Sequence, residues 1–281
     1  MCIRDRDYVQ SGKLGDVRLV KVFNLKGGGP FRLGLSAKAP KSFSWDEWLG
    51  PAKSREYHSK IFHGGWHYFW DYSGGDLADC GIHQLDLALM VLGDPPAPSA
   101  VSASGGRLQH KGDDGEVPDV EILHYDYPEF VMTFEHSHFA NSMSKIDGSI
   151  RSGDKFPHWL QCATRIEFYG AKDNMMLGRH GGGWQVFTSN GKVVDQKFGR
   201  HPDTEHQQNF IDCIKSRNRP NADVGLAQVS TSVMHIGNIA HRVGNQKLHY
   251  NASEEQFTNN DSANSLSKRQ NINDFSVKEI I

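Results

Sequence analysis

Little in this sequence carries charge of one sign. Its 281 residues set 31 Lys plus Arg against 33 Asp plus Glu, a formal net charge of −2. No basic field exists to hold a nucleic-acid backbone or an anionic membrane surface. Long apolar runs are also missing. The longest, residues 85–92, is interrupted by Asp86, so no segment spans a bilayer. Cysteine is scarce: Cys2, Cys80, Cys162 and Cys213 are scattered without a C-x-x-C pair. Neither a disulfide framework nor a thiolate zinc site is suggested, and a reducing, cytoplasmic compartment is the default. No G-x-G-x-x-G succeeds a strand. Gly27-Gly28-Gly29-Pro30 runs into proline and loop where a helix N-terminus would have to receive a pyrophosphate. The N-terminus has no apolar h-region, and residues 1–6 read as unrelated to the rest of the chain. They are set aside as a non-native leader, which leaves an export signal upstream open.

The residues that are present belong to a globular chain, with 37% hydrophobic and 23% charged. Residues 17–25 alternate as a strand, as do 120–127, 130–139, 164–170, 184–188 and 192–197, the last two joined across Asn190-Gly191. A helix is expected from Asp76, as N-cap, to about Leu92, where Gly93 and the prolines beyond it stop the pattern. Two more are expected at 203–217, with Phe210, Ile211 and Ile214 at helical spacing, and at 224–243. Hairpin-paired strands with helices grouped beside them indicate an α+β fold: an open, mostly antiparallel sheet with helices packed on one face. Residues 7–256 form this domain, and 257–281 read as a polar, fraying tail.

The chemistry concentrates in Gly74-Gly75-Asp76-Leu77-Ala78-Asp79-Cys80-Gly81-Ile82-His83-Gln84-Leu85-Asp86. On a helix, Asp79, His83 and Asp86 line one polar face, and a carboxylate one turn from an imidazole can fix its tautomer and raise its basicity. The alternative is an ordinary ion pair on a solvated face. Against it, Gly81 inside a helix costs roughly 1 kcal/mol relative to alanine, which implies close packing there.

This stretch resembles the substrate-domain motif of the Gfo/Idh/MocA oxidoreductase family. Three further segments resemble that family, in the same order along the chain: Trp45-Asp46-Glu47-Trp48-Leu49-Gly50-Pro51-Ala52, the helix beginning His206-Gln207-Gln208-Asn209-Phe210, and Ile236-Gly237-Asn238-Ile239-Ala240-His241-Arg242. The similarity runs over residues 8–269, while residues 270–281 depart from the usual terminus. The resemblance implies a C-terminal domain of the glyceraldehyde-3-phosphate-dehydrogenase-like type from an NAD- or NADP-dependent enzyme acting on a sugar, cyclitol or related polyol. The cofactor would be bound mainly by an N-terminal Rossmann domain absent from this chain, so that no cofactor-binding residue is expected here and the chain alone would be inactive. Carried over residue by residue, His83 would be the acid/base, Asp79 would orient it or hold a neighbouring hydroxyl, and Asp86 would serve structure. A homo-oligomer formed through the sheet face is implied as well.

Just upstream, His63 and Trp66 are further substrate-contact candidates, with Phe69 and Trp70 read as core. His136 and His138 share one face of a strand, a spacing open to a metal, yet no partner set completes a tetrahedral site and none is expected. Residues 179–183 read as a loop. Rival readings are an NAD-dependent glycosidase of the same fold, a non-catalytic assembly domain, and a metal-dependent sugar isomerase or hydrolase.

Overall fold

A computed structural model describes residues 2–151, 153–179, 182–200, 202–244 and 246–268. The alternating segments become one 10-stranded sheet of order β10-β9-β2-β3-β4-β1-β5-β6-β7-β8. Its strands are β1 (Val17–Leu25), β2 (Ala100–Gly106), β3 (Val120–Asp126), β4 (Val131–Ser137), β5 (Arg165–Gly170), β6 (Asn174–Gly178), β7 (Trp184–Phe187), β8 (Val193–Lys197), β9 (Leu248–Asn251) and β10 (Gln256–Phe257). β1 runs parallel to β4 in the middle of the sheet, and the other pairings are antiparallel. The sheet is thus open and mixed, in line with the expected class. The period-2 pattern sends Leu123, Tyr125, Met132 and Phe134 into the core, while Ile122 and Val131 stay exposed on the outer face.

Helices α1 (Cys2–Gln10), α2 (Ile82–Val91), α3 (Asp203–Ser216), α4 (Val224–Val243) and α5 (Asp261–Leu266) complete the fold. α2 and α4 pack on each other and on the inner face, burying Leu85, Ala88, Leu89 and Val91 from one and Val233, Ile236 and Ala240 from the other. Truncating one of these leucines to alanine removes about 2–5 kcal/mol. A π-helical turn, Leu77–Gly81, leads into α2. A Cβ on Gly81 would fall 2.5 Å from Cζ of Phe134, so glycine is what lets the helix run flush against β4. That is the close packing the helix-interior glycine implied.

Both described terminal segments pack against the fold. Residues 2–6, expected to be a leader foreign to the fold, belong to α1, which packs on α2. Asp5 and Val9 are buried there, and Arg6 sits 3.7 Å from Asp94. The start of the expected polar tail also packs: Phe257 and Ala263 are buried. Its polar composition conceals this, because asparagine side chains satisfy the backbone. Asn260 caps α5 by accepting from the Ala263 N–H, and Asn264 both accepts from and donates to the Phe257 backbone. Residues 269–281 lie outside the described residues. α3, by contrast, buries none of its side chains, and Phe210, Ile211 and Ile214 are open to solvent.

Candidate active site

β1 and β4 hold the base of the site. Their inward-facing rows are apolar until the last positions, where Asn24 and His136 stand opposite each other in register. Both are buried, and both turn to the carboxylate of Asp76. Asn24 Nδ2 donates to Oδ2 at 2.9 Å, and His136 Nδ1 lies 3.3 Å from the same oxygen. Lys26, just beyond β1, stays tied to β4 through its N–H on the Ser137 carbonyl. Its ammonium donates to Asp76 Oδ1 at 2.5 Å and lies 3.4 Å from Cys80 Sγ. Asp76 therefore does not cap the helix as expected; its backbone is already helical and its side chain makes no cap bond.

The electrostatics arise from these partners. Burial raises the Asp76 carboxyl, but His136 and Lys26 outweigh it and hold the group below the usual carboxylate range. Burial likewise works to lower Lys26, and the Asp76 carboxylate overrides it, so the amine stays charged. His138, two residues beyond His136 on the same side, is pushed down to about 4, chiefly by burial, with Asp76 pulling the other way. It is neutral at pH 7.

These groups floor a cavity of about 210 Å³ lined by Lys26, Gly64, His67, Tyr68, Asp76, Asp79, Val117, Pro118 and His138. Asp79 stands at its rim, its side chain 47% exposed and Oδ1 3.6 Å from His67 Nε2. Asp76, Asp79 and Cys80 come within 4.8 Å of one another, which is metal-like spacing. The donor set does not suit a metal, because the Lys26 ammonium already lies against two of the three and burial together with Asp76 keeps the Cys80 thiol protonated. His136, committed to Asp76 and to the Asn24 carbonyl, is no better placed.

His83 is exposed one turn further along and is not among the cavity residues. Burial and the Arg179 guanidinium lower its pKa against the opposing pull of Asp79 and Asp86. Arg179 is itself buried and donates to the Cys80 carbonyl and to Gln84 Oε1, both at 3.4 Å, across the end of the π turn. It opens the loop expected at 179–183, of which residues 180 and 181 lie outside the described residues. Asp86 accepts from Ser230 Oγ at 2.7 Å and so ties α2 to α4.

The other sequence candidates separate. His63 is exposed, meets Phe62 edge-on at 4.5 Å and does not line the polar cavity. Trp66 stacks on His67 at 3.6 Å and faces a second cavity of about 260 Å³, shared with Trp48, Leu49, Gly50, Pro51 and Tyr72; His63 is not among its walls either. Phe69 is core, whereas Trp70 is half-buried beneath the Arg242 guanidinium. Sequence reasoning misses Lys26, His67 and Tyr68 as site residues and reads Asp76 only as a cap. No spacing rule links Lys26 to Asp76, which meet only because β1 ends beside the π turn.

The glycine run after β1 has its own explanation. A Cβ on Gly28 would lie 2.5 Å from the His138 carbonyl oxygen, so the run lets the chain hug the end of β4. Among the described residues it opens no helix, and it does not fit a dinucleotide pyrophosphate.

Comparison with known proteins agrees with this architecture. Residues 24–152 and 165–277 match the Gfo/Idh/MocA family described as "Oxidoreductase family, C-terminal alpha/beta domain". No curated protein sequence matches the chain. Among solved structures, the aldose-aldose oxidoreductase from Caulobacter crescentus complexed with glycerol is similar at TM-score 0.56 and 18% identity, covering 88% of this chain and 60% of that one. An oxidoreductase from Agrobacterium radiobacter in complex with NAD+, L-tartaric acid and magnesium gives 0.52 and 16%, covering 88% and 61%. The WlbA dehydrogenase from Bordetella pertussis in complex with NADH and UDP-GlcNAcA gives 0.53 and 13%, covering 89% and 59%. At these identities the likeness is one of fold, and this chain spans about 60% of the length of the first of them. The family match, by contrast, runs through β1, the π turn, α2 and the rest of the sheet, and this chain belongs to the Gfo/Idh/MocA oxidoreductase family as its C-terminal α/β domain.

Proposed function

We propose that this chain is the substrate-binding half of an NAD(P)-dependent dehydrogenase that oxidises a secondary hydroxyl of a sugar, cyclitol or related polyol. The observation that carries the reading is the cavity itself. It presents a fixed ammonium, an exposed carboxylate and neutral imidazole and phenol groups within one small space, a donor and acceptor set suited to several hydroxyls at once. The nicotinamide supplies the hydride acceptor when bound.

In this reading Lys26 donates to a substrate hydroxyl oxygen, and Asp76 keeps it charged and in place. Asp79 accepts from a neighbouring hydroxyl, a role its position at the cavity rim beside His67 favours over orienting His83. His83, outside the cavity walls one turn beyond Asp79, takes the proton of a hydroxyl presented at the Asp79 rim. Its lowered pKa keeps the imidazole neutral near pH 7, which is the form a base needs. The outer sheet face, with Ile122 and Val131 exposed, is assigned to a second copy of the chain.

The test is polyol-dependent reduction of NAD or NADP by the full-length protein, screened over aldoses, inositols and sugar acids. Turnover abolished by Asp79→Ala in a folded protein supports the reading. Absence of turnover with every polyol and both cofactors contradicts it.

A further inference from the structure

The polar cavity has an aromatic neighbour that the dehydrogenase reading does not use. The segment around the short helix Trp45–Leu49 folds back on the chain leading into the π turn. Trp48 lies 5.5 Å from Tyr72 between ring centres and stacks on Trp45 at 4.6 Å. Together with Pro51 and Trp66, Trp48 and Tyr72 wall the cavity of about 260 Å³. Such a surface is apolar in its faces and polar only at its edges, the complement of a pyranose ring, which presents C–H groups on its faces and hydroxyls around its rim.

Three observations point to a ligand that fills both spaces. The cavities, about 210 and 260 Å³, are each below the roughly 300 Å³ at which small-molecule pockets begin, and only the two together exceed it. They lie on either side of the stacked Trp66–His67 pair, His67 lining the polar cavity and Trp66 the aromatic one. Thirdly, the Tyr72 hydroxyl is shielded from solvent and has no hydrogen-bond partner among the described residues, a deficit that ordinarily costs about 1–3 kcal/mol. Burial keeps that phenol protonated and therefore able to donate.

We propose that the aromatic cavity is a second sugar-binding subsite, so that the substrate is a glycoside of at least two rings: the reacting ring among Lys26, Asp79 and His67, and the next ring on Trp48, Trp66 and Tyr72. This rests on the polyol reading of the first cavity. It adds that a free monosaccharide fills only half of the site.

Ligand-detected NMR titrations of this chain with glucose and galactose, and with cellobiose, maltose and lactose, test it. At least one disaccharide is expected to bind about tenfold more tightly than its component monosaccharide, which corresponds to about 1.4 kcal/mol. Tyr72→Phe, which keeps the ring and the packing, and Trp48→Ala are each expected to bring that preference within about twofold while leaving monosaccharide affinity unchanged. Equal affinity for mono- and disaccharides, or a preference that survives both variants, overturns the second subsite and leaves the polyol reading standing. If no sugar of either class binds, both fail; if monosaccharides bind equally well to Lys26→Ala and Asp79→Asn, the polyol reading of the first cavity fails.

Discussion

Asp76 and Asp79 sit on the same turn of chain and have opposite fates. The Asp76 side chain is 10% exposed and is held by Lys26, Asn24 and His136. Asp79 is 47% exposed, and its oxygens meet His67 at 3.6 Å and the weak donor Cys80 at 3.4 Å. A carboxylate taken out of water must be paired, and once paired it is committed to the fold. One left at a cavity rim keeps acceptor capacity for a ligand. The site therefore divides into a fixed electrostatic floor and an open edge.

Breaking the floor should produce the largest effect. Asp76→Ala strands the Lys26 ammonium in a mostly buried position and is expected to cost about 3–5 kcal/mol, read as a fall in the urea midpoint at unchanged m-value. Asp79→Asn is the matched control. It should leave stability within about 0.5 kcal/mol and reduce activity instead. Equal destabilisation by the two would erase the distinction.

The pH dependence sharpens the same contrast. His138, pushed down to about 4 in the folded protein, binds its proton more readily when unfolded, so its contribution is fully present above the unfolded pKa near 6.5 and is lost as pH falls toward 4. The loss amounts to about 3 kcal/mol across that window. His138→Gln should flatten that slope in urea melts taken from pH 7 to 4. The smallest effect belongs to the open edge. Removing the guanidinium in Arg179→Met should raise the His83 pKa, tracked by the pH dependence of its ring proton shifts.

The sequence was most legible where local rules act alone. Alternation located β1, β3, β4 and β5, and the Asn190-Gly191 turn located the β7–β8 hairpin. The helix-interior Gly81 signalled close packing, which Phe134 supplies. β2 escaped notice because Ala-Val-Ser-Ala-Ser-Gly-Gly has little apolar alternation, and β6 because Asn-Met-Met-Leu-Gly lacks β-branched residues. Within the site, Asp79 was visible from its helical spacing to His83. Lys26 was not, since its contact with Asp76 spans 50 positions and arises only where β1 ends beside the π turn. The π turn is equally silent in sequence. On it Asp79 meets His67 at the cavity rim, while His83, one turn on, lies outside the cavity walls under the influence of Arg179.

We propose that His83, beside the open edge, is the base that performs proton transfer. The direct measurement is kcat of His83→Ala in the full-length protein on a polyol that the wild type turns over. A positioned base contributes about 10²–10⁴-fold, so kcat should fall by that factor with cofactor affinity nearly unchanged. Near-full turnover in the variant would show that His83 is an ordinary exposed histidine on a polar helix face.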